Sequence, residues 1–98
     1  MHAVKDMRWT APGSNVLYWE SWGEQYAVFD LRSGETHMLP DPTARVLQHL
    51  ATCSATVKEV AENLHLAPDQ VCDERFLSYV AGLFLQLQKV GLIEKADT

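Results

Sequence analysis

Near Pro40 the apolar residues of this chain stop recurring at every second position and begin to recur at helical spacing. A chain patterned in that order makes a sheet first and helices afterwards, which predicts the α+β class. Val16-Leu17-Tyr18-Trp19-Glu20-Ser21 and Tyr26-Ala27-Val28-Phe29-Asp30-Leu31 are rich in β-branched and aromatic side chains. They read as two strands of a hairpin that turns at Trp22-Gly23-Glu24-Gln25. Arg32-Ser33-Gly34-Glu35 makes a second turn, and Thr36-His37-Met38-Leu39 a short third strand, completing a three-stranded antiparallel meander. Alternation predicts that Ala27, Phe29 and Leu31 face the core on the second strand, and that Leu17 and Trp19 share one face of the first. Residues 1–15 show no sustained period and read as an N-terminal arm pinned by Trp9, while residues 16–98 read as one domain.

Three helices follow. Asp41 as N-cap with Pro42 in the first helical position opens a helix of about ten residues through Ala44, Val46, Leu47 and Leu50. Thr56-Val57-Lys58-Glu59 is a capping box that starts a second helix through Val57, Val60, Ala61 and Leu64. The third extends from about Asp69 to Val90 and ends on Gly91, with a short extended tail at Leu92-Ile93-Glu94. On its helical wheel Phe76, Val80, Leu83 and Leu87 are central, flanked by Leu77, Tyr79, Ala81, Phe84 and Val90. That apolar arc spans roughly 200°, about twice what one core requires. The sheet, a second subunit or a bound peptide are the three candidates to cover the excess. Helix, turn, helix beside a small sheet is the order of a winged-helix-like domain.

Ninety-eight residues, 47% apolar and 21% charged, suffice for one core and not for two. The formal net charge of -5 repels phosphate backbones. The stretch Asp69-Gln70-Val71-Cys72-Asp73-Glu74-Arg75, where a winged helix would meet DNA, carries three acids against one base, which argues against nucleic acid. Cys53 and Cys72 stand far apart outside any CxxC and read as small core residues in a reducing, cytoplasmic setting. His2, His37, His49 and His65 occupy different elements at no metal-ligand spacing, so no metal site is expected. No phosphate-binding glycine loop, nucleophile elbow or HExxH occurs, and no apolar run approaches the ~18 residues of a membrane span.

The third strand ends the meander and therefore lies at a sheet edge with unpaired N–H and C=O groups, where an extended peptide can add as a further strand. Several segments resemble the PqqD-like proteins, small peptide chaperones also called precursor-peptide recognition elements. They are Tyr26-Ala27-Val28-Phe29-Asp30, Ser33-Gly34-Glu35-Thr36-His37-Met38-Leu39, Ala44-Arg45-Val46-Leu47-Gln48-His49-Leu50, the helix around residues 57–64, and Leu83 through Glu94. The Ser-Gly-Glu-Thr-His turn with Trp19 and Trp22 looks most like the branch found beside HPr-kinase-related proteins.

The resemblance implies a winged-helix-like fold that holds the leader of a ribosomally made precursor peptide between the third strand and the third helix, and presents it to a modifying enzyme. It implies no catalytic residues and no cofactor. Carried over by position, the peptide-binding residues are Thr36, His37, Met38 and Leu39 on the strand and Phe76, Tyr79, Val80 and Leu83 on the helix. The N-terminal arm departs from the family pattern and is expected to cover either the groove or the far sheet face. The alternatives are an interaction module that forms a homodimer through the third helix and, less favoured by charge, a winged-helix regulator of DNA.

Overall fold

The computed structural model describes residues 7–13, 15–64 and 73–96. The fold is α+β, with two three-stranded antiparallel sheets and three helices. One sheet is the expected meander, β2 (Leu17–Trp22), β3 (Gln25–Asp30) and β4 (Glu35–Pro40), in that order. The other is assembled from three short segments far apart in sequence: β1 (Arg8–Thr10) lies between β5 (Ala55–Thr56) and β6 (Glu94–Lys95). Helices α1 (Asp41–Thr52), α2 (Val57–Asn63) and α3 (Glu74–Lys89) complete the chain. α1 packs against β3 and β4, and α3 packs against α1 and α2.

The register of the first hairpin corrects the expected core face. Leu17 pairs with Asp30, Trp19 with Val28 and Trp22 with Gln25, leaving Gly23 and Glu24 as a two-residue loop. Gly23 takes a φ of 66°, at the position where a II′ turn calls for glycine. Partners across an antiparallel ladder point the same way, so burying Leu17 and Trp19 also turns Val28, Tyr26 and Asp30 inward. Ala27, Phe29 and Leu31 therefore lie away from the core, and Phe29 and Leu31 are exposed.

The inward Asp30 is 4% exposed and is matched by Arg32. Arg32 donates to the Asp30 carboxylate from its backbone N–H, Nε and Nη2, each at 3.0 Å. Its Nη2 also donates to the Gly91 carbonyl at 3.2 Å, tying the second hairpin turn to the end of α3.

Helix ends follow local chemistry. The Thr56 hydroxyl accepts from Glu59 N–H at 3.1 Å while the Glu59 carboxylate accepts from Thr56 N–H at 2.9 Å, completing the expected capping box. α3 ends at Gly91, whose φ of 79° lets Leu92 N–H reach the Leu87 carbonyl and Gly91 N–H the Gln88 carbonyl, a Schellman motif. α1 departs from expectation. Pro40, extended at φ -68° and ψ 164°, is its N-cap, so Asp41 and Pro42 are the first two helical residues and no side chain caps the end. The expected start of the third helix near Asp69 lies outside the described residues; the described helix is capped by Asp73, whose carboxylate accepts from Phe76 N–H at 2.9 Å.

The arm is docked. Trp9 is 1% exposed, meets Phe84 edge-to-face at a centroid distance of 6.2 Å, and sits in a core with Leu47, Leu50, Val60, Leu87 and Leu92. Arg8 donates to the Ser54 carbonyl at 2.7 Å and to Glu59 Oε1 at 2.9 Å, fastening β1 to the start of α2. Most of the wide apolar arc of α3 is thus covered within the chain, by the helices and by Trp9, leaving Tyr79, Leu85 and Val90 exposed. Cys53 is also a correction: as the extended C-cap residue of α1 it is exposed, while Cys72 lies outside the described residues.

Two predictions follow from this packing. Trp9→Ala removes a fully buried aromatic and is expected to cost about 3–5 kcal/mol in urea unfolding, a large part of the roughly 5–15 kcal/mol a domain has. A loss below about 1 kcal/mol would show that the arm is no part of the core. Asp30 is held below its ordinary value of 3.8, chiefly by the hydrogen bonds from the Arg32 side chain. Its stabilisation is therefore fully present above about pH 4 and lost as the pH falls through the lowered value. Asp30→Asn should be less stable than the parent by about 1–3 kcal/mol at neutral pH, with the gap closing in acid. A gap that does not change with pH would refute a charge-assisted role for this carboxylate.

Candidate functional site

The meander leaves two surfaces that the core does not use. The first is the outer sheet face, opposite the helices. Cross-strand partners Tyr18, Phe29 and Thr36 form one row on it, and Glu20, Ala27 and Met38 the next. With Trp22 and Leu31 they line a shallow, mainly apolar hollow of about 560 Å³. Trp22 and Leu31 are 62% and 61% exposed, and Tyr18, Phe29 and Met38 are exposed as well. Glu20 is the charged residue of the hollow and accepts from the Trp22 indole N–H at 3.3 Å. These side chains make this face the candidate interaction surface of the sheet.

The second surface is the outer edge of β4, which no strand of the described residues pairs. β4 is the outermost strand on its side of the sheet, so its outer edge carries the N–H and C=O groups that β3 does not use. That edge borders a groove of about 370 Å³ lined by Thr36, His37, Met38, Leu39, Pro40, Thr43, Gln86, Leu87 and Val90. Its volume is within the range of ligand-sized pockets. No Asp, Glu, Lys or Arg side chain lines it. Because Val28 pairs with His37 and Tyr26 with Leu39, His37 and Leu39 lean to the core side of β4, while Thr36 and Met38 lean to the outer face. Thr36 and Met38 therefore line both the hollow and the groove.

The strand half of the expected site is brought together: Thr36, His37, Met38 and Leu39 all line the groove. The helix half lies elsewhere. Val80 and Leu83 are buried in the core, and Phe76 packs its ring against exposed Tyr79 at 6.0 Å on the N-terminal half of α3. None of the four lines the groove. The core takes Val80, Leu83 and Phe84, and it is the last turn of α3, next to the Arg32 to Gly91 bond, whose Gln86, Leu87 and Val90 form the wall. Val90 flanks the apolar arc next to Gly91, and that position was the available signal. Gln86 and Thr43 carried none.

Two residues that line this groove each carry a buried polar atom without a partner. The Oγ1 of Thr43, a residue 3% exposed, and Nε2 of His37 are both buried without a hydrogen bond. Among the described residues no group of three or more His, Cys, Asp or Glu side chains is placed to hold a metal. At the described start of α3, Asp73 and Glu74 outnumber Arg75. No helix of the described residues is long and apolar enough to cross a membrane. Described arm residues line neither the groove nor the outer hollow.

Compared with protein-family models, with curated proteins and with solved structures, the chain finds no match.

Proposed function

We propose that this protein is a noncatalytic peptide-binding chaperone that captures an extended segment, the leader of a ribosomally made precursor in the PqqD-like manner, and presents it to a modifying enzyme. The observation that carries this reading is the outer edge of β4, which no strand of the described residues pairs, lying against a groove without Asp, Glu, Lys or Arg whose far wall is the last turn of α3. An extended peptide satisfies its own backbone on such an edge and places alternate side chains in the groove. Because Thr36 and Met38 belong to both surfaces, the remaining side chains of an added strand would continue the outer sheet face. The apolar hollow around Trp22, Phe29 and Leu31 is then the surface left for the enzyme.

The test is an amide NMR titration with short peptides encoded by small reading frames beside the gene. Shifts are expected at Thr36, His37, Met38 and Leu39 and at Gln86, Leu87 and Val90, and Val90→Arg, at the groove rim, should weaken binding about tenfold with the fold intact. Met38→Pro, which removes a strand amide, should abolish binding while helical content survives. No shift at millimolar peptide would overturn the reading.

The outer face supports a second reading, a protein-interaction module that forms a homodimer. The core buries most of the apolar arc of α3, so the contact would run through the sheet instead of that helix. Sedimentation equilibrium separates the two: a dimer dissolved by Trp22→Ser together with Leu31→Ser favours this module, and a monomer at high concentration removes it.

A further inference from the structure

The outer edge of β4 offers only part of its backbone, and the register fixes which part. Leu31 N–H donates to the Val16 carbonyl at 2.9 Å, so Val16 and Leu31 are a hydrogen-bonded pair. Such pairs recur at every second position of an antiparallel ladder, which commits the backbone of Phe29 and Ala27 to β2, through Tyr18 and Glu20. Val28 and Tyr26 then bond β4 through His37 and Leu39. The N–H and C=O of Thr36 and Met38 are left pointing to the outer edge, followed by Pro40, which has a carbonyl and no N–H.

Amide donors at Thr36 and Met38 alone give an added strand little affinity, since each hydrogen bond replaces one to water. Side chains must therefore select the ligand. Paired residues point the same way, so the ligand residue opposite Met38 lies on the outer face, where Met38 is 51% exposed beside the hollow. It extends the row of Glu20, Ala27 and Met38, and a large apolar side chain there covers Met38. The ligand residue opposite His37 enters the groove against Leu87 and Val90, which suits an uncharged side chain. At the start of β4, Glu35 is exposed, and no Lys, Arg or His of the described residues pairs with it. On a chain of net charge -5, that carboxylate is complemented by a cation on the ligand. Antiparallel pairing is the more stable per residue. We infer that β4 captures an antiparallel segment carrying a large apolar side chain opposite Met38 and, at the third residue after it, a lysine or arginine opposite Glu35.

This inference rests on the strand-addition reading, and the experiment separates the two. Hydrogen exchange read by NMR on the full chain checks the edge first: in the free protein the amides of His37 and Leu39 should exchange slowly and those of Thr36 and Met38 fast. Adding the blocked peptide Ac-Ser-Leu-Val-Thr-Lys-NH2 should slow exchange at Thr36 and Met38. Replacing its Leu by Ser is expected to weaken binding about tenfold, and replacing its Lys by Glu about fivefold. Glu35→Lys should reverse the preference for Lys over Glu, and Met38→Ser should bring the preference for Leu over Ser below about threefold. Equal exchange at all four amides of the free protein, or peptides that protect Thr36 and Met38 equally well with Leu or Ser and with Lys or Glu, overturn the pattern and leave strand addition standing. The same holds if only peptides encoded beside the gene protect these amides. If no peptide of either kind does, both readings fail.

Discussion

The geometry of this molecule depends on a buried carboxylate and the arginine two residues after it. A carboxylate turned into a core is costly unless paired, and Asp30 is turned in because the hairpin register puts it on the face of Leu17. Arg32 satisfies it with three hydrogen bonds and, half-exposed itself, reaches the Gly91 carbonyl. That carbonyl belongs to the left-handed residue ending α3, after which the chain turns back to bury Leu92 and Ile93. One ion pair thus links the sheet, the end of the longest helix and the closing strand. It lies beside the turn of α3 that faces β4.

The misjudged sheet face has a specific cause. By hydrophobicity alone, Ala27, Phe29 and Leu31 are a better inner set than Tyr26, Val28 and Asp30. A two-residue loop at Gly23 and Glu24, however, pairs odd positions of β2 with even positions of β3, so Leu17 and Phe29 cannot share a face. The loop length was legible in the glycine; the parity it imposes contradicts the hydrophobic choice, and parity wins because a one-residue slip would turn Leu17 and Trp19 out of the core. The capping box at Thr56, the glycine stop at Gly91 and the order of the meander were legible because each is local. The small sheet of β1, β5 and β6 was not, since its three segments are brought together only by tertiary packing around Trp9.

The groove divides along the same line. Its strand side was legible because the last strand of a meander must be an edge. The helix side was not, because an apolar arc of roughly 200° does not say which part of it the core will use. Val80 and Leu83 look like groove walls on a wheel and are core in the fold, whereas Gln86, on the last turn of the helix, is a wall. Trp9 settles the rest by covering Phe84 from a segment with no period of its own.

A strand added to β4 would change more than the groove. Side chains alternate across a sheet, so each residue that enters the groove beside His37 and Leu39 places its neighbours next to Thr36 and Met38 on the outer face. The outer hollow would grow from three strands to four, with the ligand as part of its surface. A partner docking there would touch protein and peptide together, and its affinity would depend on the groove being filled. Such coupling requires only that one strand border both surfaces, without a conformational change. The inverted sheet face makes it chemically effective: Phe29, Leu31 and Trp22, free of the core, are apolar contacts on the side where the peptide's outward residues would lie.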